Sequence, residues 1–143
     1  MQHPPDKPQK VNLSIGEITR RLRAVDFPVV DAVVGIQTGG RIPATLVSFH
    51  LGLPLYMLPI NFRDEENKPR FDEPQLVGEC AVLPPAGCRI LLADDVSVSG
   101  KTMSKARELL PGFEITTFVL KGRGDLVLFP EIKPCVNWPW LSM

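Results

Sequence analysis

The stretch from Ile90 to Met103, I-L-L-A-D-D-V-S-V-S-G-K-T-M, is the most informative part of this chain. Its first four residues are apolar and predict a buried strand that ends at the adjacent carboxylates Asp94 and Asp95. A loop of small residues follows, and a helix is expected to begin at Lys101. Two carboxylates can accept hydrogen bonds from ribose hydroxyls, and N–H groups at a helix N-terminus can hold a phosphate. The stretch therefore predicts a sugar-phosphate site.

Two other interpretations of this stretch have to be considered. An Asp-Asp pair after a strand can be a solvated turn with no function. The letters S-G-K-T also suggest a Walker A loop, whose pattern is G-x-x-x-x-G-K-[ST]. The first glycine of that pattern would stand where this chain has Asp95. A P-loop phosphotransferase, which would bind ATP tightly, therefore remains an alternative that matches only part of the motif.

A second candidate site is the loop Thr38-Gly39-Gly40-Arg41, which follows a β-branched apolar run from Val29 to Ile36. That run predicts a buried strand. Adjacent glycines allow backbone N–H groups to point at an anion, and Arg41 adds a charged donor fork. Taken alone, the loop could be an ordinary strand-to-helix turn. Ligands of parallel sheets bind beyond the carboxyl ends of the strands, and both candidate sites fall at such ends.

Strand and helix patterns alternate along the chain, which predicts an α/β fold with a doubly wound, mostly parallel sheet and helices on both faces. With 143 residues, a single domain over residues 13–143 is expected, after a flexible N-terminal tail at residues 1–12. The 61–74 segment has no periodicity, and the 125–143 segment is not assigned. The predicted elements are helices 15–25, 42–51 and 101–110 and strands 29–36, 55–60, 89–93 and 114–120, with a short strand within 75–83.

Composition argues against several classes of function. Lys plus Arg and Asp plus Glu both number 16, so the zero net charge disfavours broad electrostatic binding of nucleic acid. No apolar run approaches the roughly 18 residues of a membrane span. The N-terminal M-Q-H-P-P-D-K-P-Q-K has no apolar signal region, which favours a cytoplasmic protein. Three cysteines without a C-x-x-C pair argue against a disulfide framework or a zinc site.

The chain resembles the type I phosphoribosyltransferases, most closely the bacterial xanthine, guanine and hypoxanthine phosphoribosyltransferases. The resemblance implies the fold of that family and the transfer of a phosphoribosyl group between pyrophosphate and a nucleobase. It also implies Mg²⁺ as cofactor, phosphoribosyl pyrophosphate and a purine-like base as substrates, and a homodimer. The matching segments are G-I-Q-T-G-G-R-I-P-A, L-P-L-Y-M-L-P-I, I-L-L-A-D-D-V-S-V-S-G-K-T-M, K-A-R-E-L-L-P, T-T-F-V-L-K and the terminal P-W.

The same resemblance implies a role for each candidate residue. Asp94, Asp95 and Arg41 would be catalytic, and the two carboxylates would bind Mg²⁺ directly or through its water. The loop from Thr38 to Arg41, which includes Gly39 and Gly40, would bind pyrophosphate. The 61–74 segment would be a mobile flap. The phosphoribosyl group would lie against Asp94, Asp95, Val96, Ser97, Val98, Ser99, Gly100, Lys101 and Thr102.

The base would lie on the other side of the sugar, under a hood segment at residues 122–143. By the same resemblance, Lys121 would face the exocyclic oxygen of a 6-oxopurine, and the backbone around Val136 would contact the base edge. Trp138 would either stack on the base or pack in the core, and packing is the more frequent role of a single aromatic residue.

The chain departs from the purine-salvage pattern at several positions. Such enzymes have a second acid inside the phosphate loop, where this chain has Val98, which has no proton to exchange. Cys135 stands at the position of the base-stacking aromatic residue, Leu141 at that of an acid after P-W, and Thr38 at that of a basic residue. A non-catalytic module that binds phosphoribosyl pyrophosphate or a nucleotide is therefore the main alternative.

Overall fold

The computed structural model describes residues 10–37, 39–61, 75–76 and 82–142. Eight strands, three α-helices and one 3₁₀ helix lie within these residues. The strands are β1 Val11–Asn12, β2 Ala32–Gln37, β3 Leu55–Asn61, β4 Gln75–Leu76, β5 Arg89–Ser97, β6 Glu114–Gly122, β7 Leu126–Val127 and β8 Val136–Asn137. The helices are α1 Ile15–Ala24, α2 Arg41–Leu51, α3 Lys101–Glu108 and the 3₁₀ helix Pro139–Ser142.

The main sheet has the strand order β4-β3-β2-β5-β6-β7, and only β4 is antiparallel to its neighbour. The chain adds β3 on one side of β2 and β5 on the other, so the winding direction reverses between β2 and β5. In open α/β sheets, ligands bind at this kind of switch point, beyond the carboxyl ends of the strands. The prediction of a doubly wound, mostly parallel sheet is confirmed.

Helices cover both faces of the sheet, as predicted. On one face, α1 and α2 pack against β5 and β6 in a core that includes Ile18, Val47 and Phe118. On the other face, α3 packs through Met103 and Ala106 onto further residues of β2, β5 and β6. Because both faces of the central strands are buried, these strands are continuously apolar instead of alternating.

The start of α1 has a capping box formed by Ser14 and Glu17. Ser14 Oγ accepts a hydrogen bond from the Glu17 N–H at 3.1 Å, and Glu17 Oε1 accepts one from the Ser14 N–H at 3.3 Å. These two bonds satisfy backbone donors that the first helical turn leaves without partners. The helix α2 ends at Leu51, as predicted, and Gly52 terminates it in the left-handed conformation with φ 68°.

Some predicted boundaries were wrong. β5 does not end at Ala93 but continues through the acidic pair to Ser97, and β6 continues to Gly122. The two strands pair from Arg89 and Glu114 to Ser97 and Gly122, with Asp95 outside the paired positions, and this backbone ladder does not depend on apolar side chains. Conversely, β2 begins only at Ala32, three residues after the apolar run starts.

The predicted N-terminal tail also extends too far. Val11 and Asn12 form β1, which pairs in parallel with β8 near the other end of the chain. The Val11 N–H donates to the Cys135 carbonyl at 2.9 Å. Residues 1–9 and residues 62–74, which include most of the predicted flap, lie outside the described residues.

An exposed ion pair joins the N-terminal ends of β2 and β5. Asp31 accepts hydrogen bonds from the Arg89 N–H, Nε and Nη2 at 2.8, 3.1 and 3.0 Å, and these bonds lower the pKa of Asp31 from 3.8 to about 2. A carboxyl group whose pKa is lowered by folding adds stability at pH values above its unfolded-state pKa. This stability is lost as the pH falls toward its folded-state pKa. We therefore expect Asp31→Asn to lower the melting temperature slightly at pH 7 and to make it less pH-dependent between pH 4 and 2.

Thermal melts from pH 7 to pH 2 measure this effect. Asp26→Asn, which changes an exposed carboxylate just after α1, is the matched control and should leave the pH dependence as it is in the wild type. Parallel melting curves for wild type and Asp31→Asn would show that the pair does not contribute to stability.

Candidate functional site

The acidic pair lies on β5 at the switch point of the sheet. Asp94 is buried, with an exposed fraction of 7%, while Asp95 is half-buried. The Asp95 N–H donates to Asp94 Oδ1 at 2.8 Å, and the Val96 N–H donates to Asp95 Oδ1 at 2.7 Å. Burial, and then the adjacent Asp95, raise the pKa of the Asp94 carboxyl well above its ordinary value. A cation or hydroxyl donors placed here would relieve the cost of two neighbouring carboxylates.

The glycine loop lies against this pair. A methyl group on Gly39 would be 2.6 Å from Asp95 Oδ1 and 2.7 Å from Oδ2, so only a glycine leaves room for the carboxylate in this position. The structure thus brings together the two sites that were predicted from separate parts of the sequence. Arg41 is exposed at the first position of α2, next to this contact. Thr38 lies outside the described residues.

Gly40 is wedged between the ends of β2 and β5. Its N–H donates to the Ile36 carbonyl at 2.7 Å. A methyl group on Gly40 would lie 2.6 Å from the Ile36 oxygen and 2.7 Å from the Ala93 oxygen. The backbone of the loop therefore approaches both strands more closely than any side chain allows, and this packing holds the loop beside the acidic pair.

The predicted phosphate loop links β5 to α3. Ser97 is buried at the end of β5, and Val98 and Ser99 are exposed. Gly100 adopts a left-handed conformation, with φ 82°, directly before α3. Ser99 Oγ accepts a hydrogen bond from the Lys101 N–H at 3.3 Å. The first turn of α3 presents N–H groups and the positive end of the helix dipole to this loop, which suits a phosphate group.

The residues predicted to bind a base lie in different environments. Lys121 is not one residue past a strand, as predicted, but inside β6, where it pairs with Val96 and is half-buried. Val136 is buried on β8, so a ligand could meet its backbone more easily than its side chain. Trp138 has an exposed fraction of only 4% and stacks on Trp140 with a centroid separation of 5.4 Å. The packing interpretation of Trp138 therefore fits its environment.

A contact that the sequence did not indicate holds Ser97, the residue at which the predicted phosphate loop leaves β5. The Arg123 N–H donates to the Ser97 carbonyl at 2.8 Å. Gly122 has φ 106°, and a methyl group on it would overlap the Ser97 carbonyl. The one sequence signal was Gly122, directly after Lys121, and it did not indicate which residue this glycine approaches.

Two further features bear on the function of the described part of the chain. There, no group of three or more His, Cys, Asp or Glu side chains is arranged to hold a metal ion. Over the same residues, no helix combines the length and the apolar character needed to cross a membrane.

Comparison with known proteins agrees with the family that the sequence resembles. The family model for the phosphoribosyl transferase domain matches residues 11–121. The xanthine-guanine phosphoribosyltransferase of Cereibacter sphaeroides (strain ATCC 17025 / ATH 2.4.3) is 33% identical over 116 residues. This match covers 77% of the chain but only 65% of that enzyme, so the chain spans slightly less than two thirds of its relative's length.

Two solved structures share the fold at low sequence identity. The Helicobacter pylori xanthine-guanine-hypoxanthine phosphoribosyltransferase superposes with a TM-score of 0.73 and 15% identity, covering 92% of this chain and 94% of that one. The purine phosphoribosyltransferase from Pyrococcus horikoshii Ot3 superposes with a TM-score of 0.66 and 24% identity, covering 92% and 93%. At these identities the likeness shows the fold alone.

Proposed function

The chain belongs to the phosphoribosyltransferase family, and we propose that it transfers the phosphoribosyl group of phosphoribosyl pyrophosphate to a purine-like nucleobase and releases pyrophosphate. The observation that carries this proposal is the contact between the Gly39 backbone and the Asp95 carboxylate. A loop that suits an anion and an acidic pair that suits ribose hydroxyls therefore lie side by side, as a ribose with a pyrophosphate on C1 would require.

The donor set at the acidic pair suits magnesium. Mg²⁺ prefers oxygen ligands, keeps several of its waters, and therefore needs few protein ligands. Asp94 and Asp95 would hold it directly or through its water. When bound, the ion would neutralise negative charge on the pyrophosphate as that group leaves.

The residues of the chain would position the sugar and stabilise the leaving group. Asp94 and Asp95 would accept hydrogen bonds from the ribose hydroxyls, and the loop from Ser97 to Thr102 would hold the 5′-phosphate. The N–H groups of Gly39 and Gly40, together with Arg41, would meet the charge that develops on the pyrophosphate as the C1–O bond breaks. The protein forms no covalent bond in this scheme.

The base would enter between Lys121 and the hood segment at residues 122–143. Lys121 pairs with Val96, so its backbone lies beside the strand that carries the acidic pair. An ammonium donor at this place suits an exocyclic oxygen of the base. We extend the proposal to a homodimer and to a cytoplasmic location, which follow the family resemblance.

The proposal is tested by pyrophosphate release from phosphoribosyl pyrophosphate and Mg²⁺ with xanthine, guanine, hypoxanthine, adenine, orotate and uracil. Base-dependent release would establish the activity and identify the acceptor. Protein that neither binds phosphoribosyl pyrophosphate in calorimetry nor releases pyrophosphate with any base would contradict the proposal.

One observation favours a second candidate function, a non-catalytic module that senses phosphoribosyl pyrophosphate or a nucleotide. Val98 is 71% exposed in the phosphate loop, at the position where purine-salvage enzymes have an acid. An exposed valine cannot exchange a proton with a purine imidazole. Such a module would bind the sugar pyrophosphate and show no turnover with any of the six bases.

Restoring the acid should raise purine turnover. We expect Val98→Asp to increase kcat/KM for a 6-oxopurine by roughly 100-fold, the lower end of the usual range of general acid–base catalysis. Steady-state kinetics with each purine measures the effect. Val98→Asn is the matched control, because it has nearly the same shape and polarity but no acidic proton. An equal gain in both variants, or none in a stable Val98→Asp protein, would show that the missing acid does not limit turnover.

A further inference from the structure

The connection between β6 and β7 is unusually short for parallel strands. β6 ends at Gly122 and β7 begins at Leu126, so residues 123–125 make the whole connection. Parallel neighbours usually need a crossover of about a dozen residues or more. Here Leu126 pairs with Phe118, so the chain must turn back along the edge of β6 before β7 begins. Such a tight reversal needs specific contacts at both of its ends.

The first end of the reversal is attached to the phosphate loop. As described above, the Arg123 N–H donates to the carbonyl of Ser97, the last residue of β5, and Gly122 leaves room for that carbonyl. The position of Arg123 therefore determines where the Ser97 carbonyl can lie. Since Ser97 is also the first residue of the phosphate loop, this hydrogen bond sets where the loop leaves the sheet.

The second end is held by three hydrogen bonds between Thr117 and Asp125. Asp125 Oδ2 accepts from the Thr117 N–H at 2.9 Å and from Thr117 Oγ1 at 3.0 Å, and the Asp125 N–H donates to Thr117 Oγ1 at 2.8 Å. Thr117 is 4% exposed, so these bonds are shielded from water on its side. The carboxylate takes the place of a strand partner for the Thr117 N–H, one residue before the first β6–β7 pair.

We propose that Asp125 is a positioning residue for phosphoribosyl binding, acting through Thr117 and the Arg123 N–H on the Ser97 end of the phosphate loop. The inference rests on the function proposed above for that loop. Arg107 Nη2 of α3 lies 3.7 Å from Asp125 Oδ2, so the helix that follows the loop also contacts this residue. Both sides of the phosphate loop are thus connected to one carboxylate.

Loosening this connection should weaken substrate binding more than the chemical step. The 5′-phosphate is bound in the ground state and in the transition state alike, so a displaced loop raises KM with a smaller change in kcat. We expect Thr117→Val, which removes the hydroxyl at nearly constant volume, to raise KM for phosphoribosyl pyrophosphate by about tenfold. Thr117→Ser keeps the hydroxyl and should restore KM to within about twofold of the wild type.

Thr116→Val is the matched control. It makes the same change one position earlier, where the side chain lies on the opposite face of β6. Asp125→Ala and Asp125→Asn form a second pair, because the asparagine carbonyl can still accept from Thr117 while the alanine cannot. The asparagine variant should therefore resemble the wild type, and the alanine variant should resemble Thr117→Val.

The experiment combines kinetics, calorimetry with phosphoribosyl pyrophosphate and Mg²⁺, and hydrogen exchange. The Arg123 amide should exchange faster in Thr117→Val and Asp125→Ala than in Thr116→Val. Suppose that the wild type binds and turns over phosphoribosyl pyrophosphate while the KM of Thr117→Val equals that of the wild type or of Thr116→Val. That result would overturn the positioning role alone. A wild type that does not bind phosphoribosyl pyrophosphate would overturn the proposed function and this role together.

Discussion

Replacing Asp94 and Asp95 together by asparagine is expected to abolish pyrophosphate release while the protein stays folded. In the proposed function, the two carboxylates would accept hydrogen bonds from the sugar hydroxyls and would hold magnesium at the switch point of the sheet. An asparagine carbonyl keeps a hydrogen-bond acceptor but loses the charge that attracts the metal. We expect turnover to fall at least about a thousandfold, more than is usually lost with one electrostatic contact in an active site.

The stability of this double variant should not fall with its activity. Asp94 is buried and its pKa is raised by that burial and by Asp95, so the pair costs free energy in the folded state. Asparagine removes the charge and can still accept from the Asp95 N–H. We therefore expect a melting temperature at pH 7 equal to or above that of the wild type, as is common where a functional site is not optimised for stability.

Kinetics and thermal melts on the same samples test both expectations. Asp26→Asn controls for the loss of an exposed carboxylate and should leave turnover unchanged. The single variants Asp94→Asn and Asp95→Asn show whether one carboxylate is enough for turnover. Full activity in the double variant would mean that the site is assigned to the wrong residues, and a large drop in melting temperature would mean that the pair stabilises the fold.

Much of the site could be predicted from sequence because its signals are local. The run from Ile90 to Met103 contains a buried strand, an acidic pair, a small-residue loop and a helix start in consecutive positions. The loop at Gly39 and Gly40 follows a second buried strand. The rule that ligands bind beyond the carboxyl ends of parallel strands then predicted both sites at strand ends, and the Gly39–Asp95 contact is consistent with this.

The parts that could not be predicted depend on backbone pairing and on contacts between distant residues. Apolar periodicity stops at Asp94, but the β5–β6 ladder continues to Ser97, because hydrogen bonds between strands do not require apolar side chains. Val11 pairs with Val136, and no local pattern indicates a two-residue strand at each end of a chain. The bonds between Thr117 and Asp125 depend on a three-residue reversal that has no periodic signature.

The two loop glycines should respond differently to a single methyl group. On Gly40 the methyl would meet the Ile36 and Ala93 carbonyl oxygens at 2.6 and 2.7 Å, well inside the roughly 3.5 Å of an ordinary contact. Both oxygens belong to the backbone of central strands and cannot rotate away. Gly40→Ala should therefore lower the free energy of unfolding by about 1–3 kcal/mol, as overpacking usually does, and displace the loop.

On Gly39 the methyl would meet the carboxylate of Asp95, which is the end of a side chain and can rotate. The strain is then relieved by moving the carboxylate, not the backbone. Gly39→Ala should cost little stability but should shift the carboxylate that we propose to bind ribose and metal by about an ångström. A displacement of that size can cost on the order of 100-fold in rate. We therefore expect Gly39→Ala to lose activity at nearly unchanged melting temperature.

Denaturant unfolding and pyrophosphate release on both variants separate these outcomes. Gly16→Ala is the matched control, because a methyl on this α1 residue would lie 3.7 Å from Ser14 Oγ, an ordinary contact, and alanine favours a helix. It should therefore be as active as the wild type and no less stable.

If Gly39→Ala kept full activity, the contact with Asp95 would not belong to the reacting site. If Gly40→Ala were as stable as the wild type, the loop would not be held between β2 and β5. We expect both variants to lose activity and only Gly40→Ala to lose stability. This result would fit a glycine loop that packs between two strands and against a carboxylate of the proposed site.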